Sequence, residues 1–296
     1  MLGNAKTRRA LAPYLFVLPF ILSLLLFYLY PFIYTIIMSF QDIKPGQVRF
    51  VGLQNYRDLN HEHFFIAIRN SFIYTVLTIA LLIPIPVLLA TILNSRLCLG
   101  SRFFRAVFFV PSLVSVVVTG TIMRLIFAGS DKAIINSILV FFHIPAQTWL
   151  FSTQIHAMFL LVIIALWRWT GINIIYFLSG LQTIPSELYE AADMDGAGAF
   201  QKLKVITLPL LKPIIIFVTT ISIFGGFSMF EESYVLWQGK SPNNYGLTMV
   251  GFIFRKGFWE NKLGYGSAVG LVLLFVIAAV SLGQLFLWGF FKREDS

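Results

Sequence analysis

An arginine in the middle of an apolar stretch is the first residue of this sequence that could do chemistry. Arg168 lies within Trp167-Arg168-Trp169, and two carboxylates, Glu231 and Glu232, end a later apolar stretch. A charge inside such a stretch is costly to bury and normally faces a wet cavity or a partner of opposite charge. We therefore expect Arg168 to pair with a glutamate. The pair either fixes helix packing or lines a transport path, and the sequence leaves both open.

Aromatic and hydrogen-bonding side chains occur near these charges. A site for a ligand with polar and apolar faces combines apolar walls with a few polar groups. By residue type and expected depth, the candidates are Arg168, Trp169, Asn173, Phe230, Glu231 and Tyr234. Because aromatic residues make up 16% of the chain and also populate membrane interfaces, an interfacial role is the alternative for each aromatic candidate.

The sequence carries no constellation for bond-breaking chemistry. Its four histidines, at positions 61, 63, 143 and 156, are scattered, and the single Cys98 can form no internal disulfide. Alternating His61 and His63 have no further metal ligands beside them. Gly239-Lys240-Ser241 is not the end of a phosphate-binding loop, because Tyr234 stands where the first glycine is needed. We predict no catalytic residue, no metal and no cofactor bound by this chain.

The composition places these residues in a membrane protein. Hydrophobic residues make up 58% of the 296, charged residues make up 12%, and the mean hydropathy is +0.82. Soluble domains are about half apolar and about a quarter charged. The few charges cannot cover a water-facing surface, which excludes a soluble enzyme, a disordered chain and a disulfide scaffold. The net charge of +9 is then a sign of membrane topology, and no nucleic acid partner is expected.

Six apolar stretches are long enough to cross a membrane, because a spanning helix needs about 20 apolar residues. The predicted spans are about 12–40, 70–94, 106–127, 154–181, 213–232 and 264–291. The first is too long for the core of a cleaved signal peptide and no small-residue cleavage site follows it, so we expect it to be retained. The sequence predicts an all-α polytopic membrane protein with one transmembrane domain over residues 1–296.

Basic residues in short connections predict the orientation. Two groups without acids, before span one and between spans two and three, are Lys6, Arg8, Arg9, Arg96, Arg102 and Arg105. Both groups are expected in the cytoplasm. An even number of spans then places Lys292 and Arg293 there too, so both termini are cytoplasmic.

The connection between spans four and five, residues 182–212, differs from the others. Pro185 suits the first turn of a helix, and Glu187 is favourable near the positive end of its dipole. Gly196 supplies a stop and a sharp turn before a second helical stretch that reaches Pro209. The pattern predicts a short helix, a glycine corner and another short helix.

The spacing of this connection resembles the EAA loop of ATP-binding-cassette (ABC) importer permeases. Glu190-Ala191-Ala192, Gly196, Ile206 and Leu208-Pro209 stand at the intervals of that motif, and Gly180–Pro185 and Leu208–Pro213 match its flanks. Other stretches resemble the carbohydrate branch and its first-permease type: Pro13–Pro19, Phe50–Tyr56, Phe103–Arg105 before Pro111, and Gly264–Ala268. The resemblance runs from about residue 12 to 291. Gly239-Lys240-Ser241-Pro242 departs from the family's frequent Gly-Gly-Pro, which leaves the sugar undetermined.

The resemblance implies the fold of an ABC type I importer permease with a cytoplasmic coupling helix. It also implies the pore subunit of a binding-protein-dependent importer of the maltose or multiple-sugar type in a bacterial or archaeal inner membrane. The implied partners are a second, non-identical permease, two cytoplasmic ATPase subunits that bind ATP and magnesium, an extracytoplasmic substrate-binding protein, a carbohydrate and membrane lipid. The residues implied to couple to the ATPase are Glu187, Glu190, Ala191, Ala192, Gly196, Ile206, Leu208 and Pro209.

Two other functions fit a polytopic membrane chain. An ion-coupled secondary transporter would work without an ATPase, but such proteins often show duplicated halves and acids at mid-membrane, which this sequence lacks. A membrane-embedded enzyme would need clustered catalytic residues at one depth.

Overall fold

The computed structural model describes residues 5–44, 46–95, 98–151 and 153–289, with side chains from residue 13 onward in those ranges. The described chain is mainly helical. Its helices are α1 (Ala5–Leu24), α2 (Tyr30–Ser39), α3 (Gln54–Arg57), α4 (Glu62–Leu82), α5 (Pro84–Asn94), α6 (Ser101–Leu113), α7 (Val116–Ile126), α8 (Ile134–Phe141), α9 (Gln154–Leu181), α10 (Ser186–Met194), α11 (Ala199–Lys202), α12 (Leu208–Leu210), α13 (Lys212–Phe227), α14 (Glu231–Trp237), α15 (Met249–Phe254) and α16 (Leu263–Leu287). Short π-helical turns at Leu25–Leu29, Leu203–Thr207 and Arg255–Trp259 and a 3₁₀ turn at Pro242–Asn244 complete the helical structure.

Within the described residues, five helical stretches are long and apolar enough to cross a membrane. They are Pro13–Ser39, Glu62–Asn94, Gln154–Leu181, Lys212–Trp237 and Leu263–Leu287. The fourth predicted span coincides with α9. The second stretch begins at Glu62 rather than near residue 70, because His61 caps the helix by accepting a hydrogen bond from the His63 N–H. The end predicted for span six, at 291, lies outside the described residues, as do Arg96, Lys292 and Arg293.

The predicted third span, about 106–127, is wrong as a single helix. The chain forms α6 and α7 instead, which are bent by 100° relative to each other. Pro111 lacks the N–H that would continue the helical hydrogen bonds, and Ser115 accepts a hydrogen bond from the Val118 N–H and so starts a new helix. Among the described residues, the number of crossings is therefore six if this bent pair is one broken span, and five otherwise.

The contacts divide the chain into two units, of which the first comprises residues 1–60 and 253–272. Here α1 and α2 form a continuous helical stretch through a π-helical turn. After it, strands β1 (Gln41–Lys44) and β2 (Gln47–Phe50) pair antiparallel, with Gln41 opposite Phe50. The amide of Asn55 donates to the carbonyl oxygens of Ser39 and Gln41, which fixes the hairpin to the end of α2.

The second unit comprises residues 61–252 and 273–296. Its central helix is α9, which packs against α4, α5, α6 and α13. The approach to α6 is close, because a Cβ added at Gly171 would lie 1.9 Å from the Phe108 carbonyl oxygen. One apolar cluster surrounds Leu160, Leu161 and Ile164 in the first half of α9, and another surrounds Ile174 and Phe177 in the second half. Arg168 lies between these clusters.

Candidate functional site

A cavity of about 500 Å³ lies between α4, α9, α13 and α14 in the second unit. Its lining residues on α4 and α9 recur at helical spacing: Tyr74, Thr78, Leu82, Ala165, Arg168, Trp169, Ile172, Asn173 and Tyr176. The other lining residues are Ile221, Ser222, Gly225, Gly226, Ser228, Met229, Phe230, Glu231, Glu232 and Val250. Sites for small ligands have volumes of about 300–1,000 Å³ and combine apolar walls with a few polar groups, as this cavity does.

A buried ion pair forms one wall of the cavity. Arg168 Nη1 lies 2.6 Å from Glu232 Oε1, and each of the two side chains is only 10% exposed. The predicted pairing of Arg168 with a glutamate is therefore present, and the partner is Glu232. A pair so deeply buried needs both members, because either charge left alone would keep its desolvation cost without compensation.

Glu231 lies beside this pair but has a different environment. Consecutive residues of a helix are separated by about 100°, so the Glu231 side chain leaves α14 in another direction than that of Glu232. Glu231 is exposed, lines the cavity and forms no ion pair with a residue that the structure describes. The cavity therefore combines one arginine with two carboxylates, of which only one is bound to the arginine.

Aromatic rings form part of the apolar surface of the cavity. The guanidinium carbon of Arg168 lies 5.2 Å from the centroid of the Trp169 ring, and Trp169 remains 41% exposed. The Phe230 ring lies 5.2 Å from that of Tyr234, but Tyr234 is not among the lining residues. Five of the six predicted candidates, all except Tyr234, thus come together around one space.

The remaining predicted candidate on α9, Asn173, is buried and already makes a hydrogen bond. Its Nδ2 donates to the Leu82 carbonyl oxygen at 3.1 Å. Asn173 lines the cavity, but this donor serves the break between α4 and α5. Its first role is therefore structural.

The positions of the two carboxylates, Glu231 and Glu232, depend on a break between α13 and α14. Helix α13 ends at Phe227 and α14 begins at Glu231, and the Thr248 hydroxyl donates to the Met229 carbonyl oxygen at 2.7 Å between them. Gly226 allows α13 to approach α4, because a Cβ there would lie 2.5 Å from Thr75 Oγ1. The neighbouring Gly225 has open space at its Cβ position and lines the cavity.

Several cavity residues were not among the sequence candidates: Tyr74, Thr78, Tyr176, Ser222 and Ser228. On α9 the signal was present, because Arg168, Trp169, Ile172, Asn173 and Tyr176 follow the i, i+3, i+4 spacing of one helix face. On α4, Tyr74 and Thr78 stand four residues apart within an apolar stretch. A search for polar residues that share a face would have found both sets.

The connection between α9 and α13 has the predicted helix–corner–helix form. Helix α10 ends at Met194, and Gly196 follows with a φ of +74°. Ala197 N–H donates to the Ala192 carbonyl, and Gly196 N–H donates to the Asp193 carbonyl, which is the Schellman pattern of a helix terminus. No atom lies within 4 Å of a Cβ built on Gly196, so backbone conformation is what favours glycine there.

One face of α10 is left uncovered by the residues that the structure describes. Glu187, Glu190, Ala191 and Met194 are all exposed at the spacing i, i+3, i+4, i+7, and Met194 reaches 90%. Neither glutamate forms an ion pair with a described residue. Of the other residues predicted for this site, Leu208 and Pro209 are exposed, and Ala192 and Ile206 are half-buried. We refer to Glu187, Glu190, Ala191 and Met194 as the α10 face.

Two contacts join the two arms of this connection, of which the first is α10 and the second is the helical stretch 199–210 after Gly196. The Tyr189 hydroxyl lies 2.9 Å from Thr207 Oγ1, and Lys202 Nζ lies 2.6 Å from Asp193 Oδ1. Thr207 is buried, whereas the Asp193 carboxylate is largely exposed. The hydroxyl contact is therefore the better protected of the two links.

Comparisons with known proteins agree on the class of this chain. The family described as "Binding-protein-dependent transport system inner membrane component" matches residues 65–288. The arabinooligosaccharides transport system permease protein AraP of Bacillus subtilis (strain 168) is 53% identical over 283 residues, which cover 96% of this chain and 90% of that protein. The lactose transport system permease protein LacF of Rhizobium radiobacter is 30% identical over 276 residues, which cover 92% of each chain. A solved bacterial ABC transporter, involved in the import of the acidic polysaccharide alginate, superimposes with a TM-score of 0.85 at 22% identity, over 97% of this chain and 98% of that one.

Proposed function

Because this chain belongs to the family of inner membrane components of binding-protein-dependent transport systems, we propose that it is a pore-forming permease subunit of an ATP-driven carbohydrate importer. Membership confirms the predicted fold class, an all-α ABC importer permease, and the chain is a multi-pass inner membrane protein. It argues against an ion-coupled secondary transporter and a membrane-embedded enzyme. In this proposal the chain catalyses no reaction itself, and a separate ATPase hydrolyses ATP.

The observation that carries the proposal is the α10 face. Its glutamates, alanine and methionine form a small, exposed ridge on a helix whose end is fixed by a Schellman turn. Such a helix fits a groove on a partner protein, because alanine permits close approach and methionine adapts its shape. We assign this partner as a cytoplasmic ATPase subunit. Glu190 is then its polar contact, and Glu187, Ile206, Leu208 and Pro209 border the contact.

A movement of α10 has a direct route to the cavity. The Tyr189–Thr207 contact joins α10 to the second arm, which continues through α12 into α13. Between them Leu211 is fully buried, and α13 carries Ser222 and Gly225 in the cavity wall. Nucleotide-driven closure of the ATPases would therefore shift α13 as a lever and open the cavity to alternate sides of the membrane.

The cavity is the proposed sugar path. Sugars have apolar ring faces and many hydroxyls, and the cavity offers the Trp169 ring beside Ser222, Ser228 and Glu231. The names of the similar permeases support oligosaccharides, and the arabino-oligosaccharides of the 53% identical relative are the first candidates. Asn173 and Phe230 complete the wall, and Tyr234 supports Phe230 from outside it.

The proposed assembly contains a second, non-identical permease, two ATPase subunits that hold ATP and magnesium, and an extracytoplasmic substrate-binding protein. The family description itself supports the last of these partners. The α10 face would lie in the cytoplasm, because α10 must reach the ATPase. Both termini would lie on the same side, as the basic residues of the short connections predict.

Transport in sealed vesicles tests this proposal. The purified assembly should take up radiolabelled arabino-oligosaccharide only when ATP is inside the vesicles and the binding protein is outside. Ionophores that collapse ion gradients should leave uptake unchanged. Uptake that needs an ion gradient and no ATP would refute the proposal.

A charge reversal tests the coupling role of the α10 face. Glu190→Lys should lower uptake about tenfold or more. The lysine would place a positive charge in the docked contact, where it either meets a positive group of the ATPase or has no partner. The matched control is Asp131→Lys, because Asp131 is exposed and lies outside the connection between α9 and α13. Equal uptake by the Glu190→Lys variant and the wild type would contradict the docking role.

A further inference from the structure

We propose that Glu231 makes the cavity selective for uncharged over anionic sugars, an inference that rests on the proposed sugar path. The cavity wall holds one cation and two carboxylates, namely Arg168, Glu231 and Glu232. Arg168 and Glu232 cancel each other's charge at 2.6 Å. The carboxylate of Glu231 is left over, so the wall carries one net negative charge toward a ligand.

The contacts of Arg168 commit its charge to Glu232. Its Nη1 is bound to Glu232, and its planar group lies over the Trp169 ring. Its Nε is buried and has no hydrogen-bond partner among the described residues. This N–H leaves one place for a further acceptor, such as a ligand oxygen. A neutral hydroxyl can fill that place without adding charge to the wall.

The position of Glu231 makes it the discriminating residue. It is exposed, lines the cavity and forms no ion pair with a described residue, whereas Glu232 is buried and bound to Arg168. An exposed carboxylate accepts hydrogen bonds from sugar hydroxyls and repels a sugar carboxylate. At a separation of about 6 Å and an effective dielectric constant of about 40, this repulsion corresponds to about a tenfold loss of affinity.

Equilibrium binding to the purified permease–ATPase assembly tests this inference. The substrate-binding protein is left out, because its own selectivity would otherwise add to that of the cavity. The probe is a radiolabelled neutral arabino-oligosaccharide. Two unlabelled competitors are compared: the same neutral oligosaccharide, and a form in which the terminal primary alcohol has been oxidised to a carboxylate. The wild type should prefer the neutral competitor about tenfold. Glu231→Gln should reduce that preference to about threefold or less.

The control is Asp131→Asn, which removes an exposed carboxylate outside the cavity lining. It should keep the tenfold preference. The inference would be overturned if the Glu231→Gln variant showed the same preference as the wild type. It would also be overturned if the wild type bound both competitors equally. A wild type that binds no neutral oligosaccharide would instead count against the proposed sugar path.

A measurement on the wild type alone covers the case in which the Glu231→Gln variant does not fold. Repulsion at an exposed carboxylate is screened by salt, so raising the ionic strength from about 0.05 to about 0.5 M should weaken the preference severalfold. Binding of the neutral probe should change little, since it carries no charge. A preference that is independent of salt would show that charge does not cause the selectivity.

Discussion

The side-chain amide of Asn173 donates a hydrogen bond of 3.1 Å to the carbonyl oxygen of Leu82 on a neighbouring helix. In a continuous helix that carbonyl would accept from the N–H of residue 86, but residue 86 is proline and has no N–H. Helix α9 therefore supplies the donor that the break between α4 and α5 lacks. This donor matters because the bond is buried, and no solvent can serve a carbonyl left without a partner there.

We expect Asn173→Leu to destabilise the chain by about 0.5–2 kcal/mol, because the Leu82 carbonyl loses its partner. Thermal unfolding of the purified assembly in detergent measures this change. Pro86→Ala restores a backbone N–H at residue 86, so it should recover much of the loss in the double variant. A double variant as unstable as Asn173→Leu alone would show that Asn173 acts by packing and not through this hydrogen bond.

The ion pair between Arg168 and Glu232 gives a second prediction. Arg168→Gln and Glu232→Gln should each destabilise the chain by about 3 kcal/mol, because each leaves one buried charge unpaired. The double variant should be more stable than either single variant, as judged by thermal unfolding. A double variant no more stable than the singles would contradict the assignment of this pair.

Uptake by the same double variant decides between the two roles that the sequence left open for Arg168. Recovered stability with uptake still reduced would place the pair in the transport path. Recovery of both stability and uptake would show that the pair serves only to fix α14 against α9.

The corner at Gly196 gives a third prediction. Gly196→Glu should cost about 1–2 kcal/mol locally, because a side chain is strained at its φ of +74°. The strain should disturb α10, so the ATPase should no longer co-purify while the chain still inserts into the membrane. Gly198→Glu is the matched control, because Gly198 has a φ of −71° and open space around it. Co-purification of the ATPase at the wild-type level with Gly196→Glu would refute the role of the corner.

Local signals in the sequence were sufficient for the individual helices. The apolar stretch of α9 and the Pro185 and Gly196 boundaries of α10 could be read directly, because length, proline and glycine act on the local backbone. The break of the third span was also readable, since Pro111 and Ser115 are a helix-ending and a helix-starting residue. A span assigned by hydropathy does not show this break, because the apolar stretch continues across both residues.

Which of the two glutamates, Glu231 or Glu232, pairs with Arg168 could not be predicted from the sequence in the same way. It depends on the rotation of α14, which is set where the Thr248 hydroxyl binds the Met229 carbonyl between α13 and α14. That contact joins residues far apart in sequence, so no local pattern reports it. The cavity itself likewise follows from the packing of α4, α9, α13 and α14, and the sequence could supply only the residue types of its wall.

Two adjacent glycines of α13 should separate effects on transport from effects on stability. Gly225 faces the cavity with open space at its Cβ position, so Gly225→Leu should fill part of the cavity and lower uptake severalfold. Gly226→Ala would place a Cβ 2.5 Å from Thr75 Oγ1, so it should destabilise the chain by about 1–3 kcal/mol. Vesicle uptake and thermal unfolding, measured on both variants, check the contrast. Unchanged uptake with Gly225→Leu would show that the sugar does not pass this wall, because the cavity would be narrowed there without consequence.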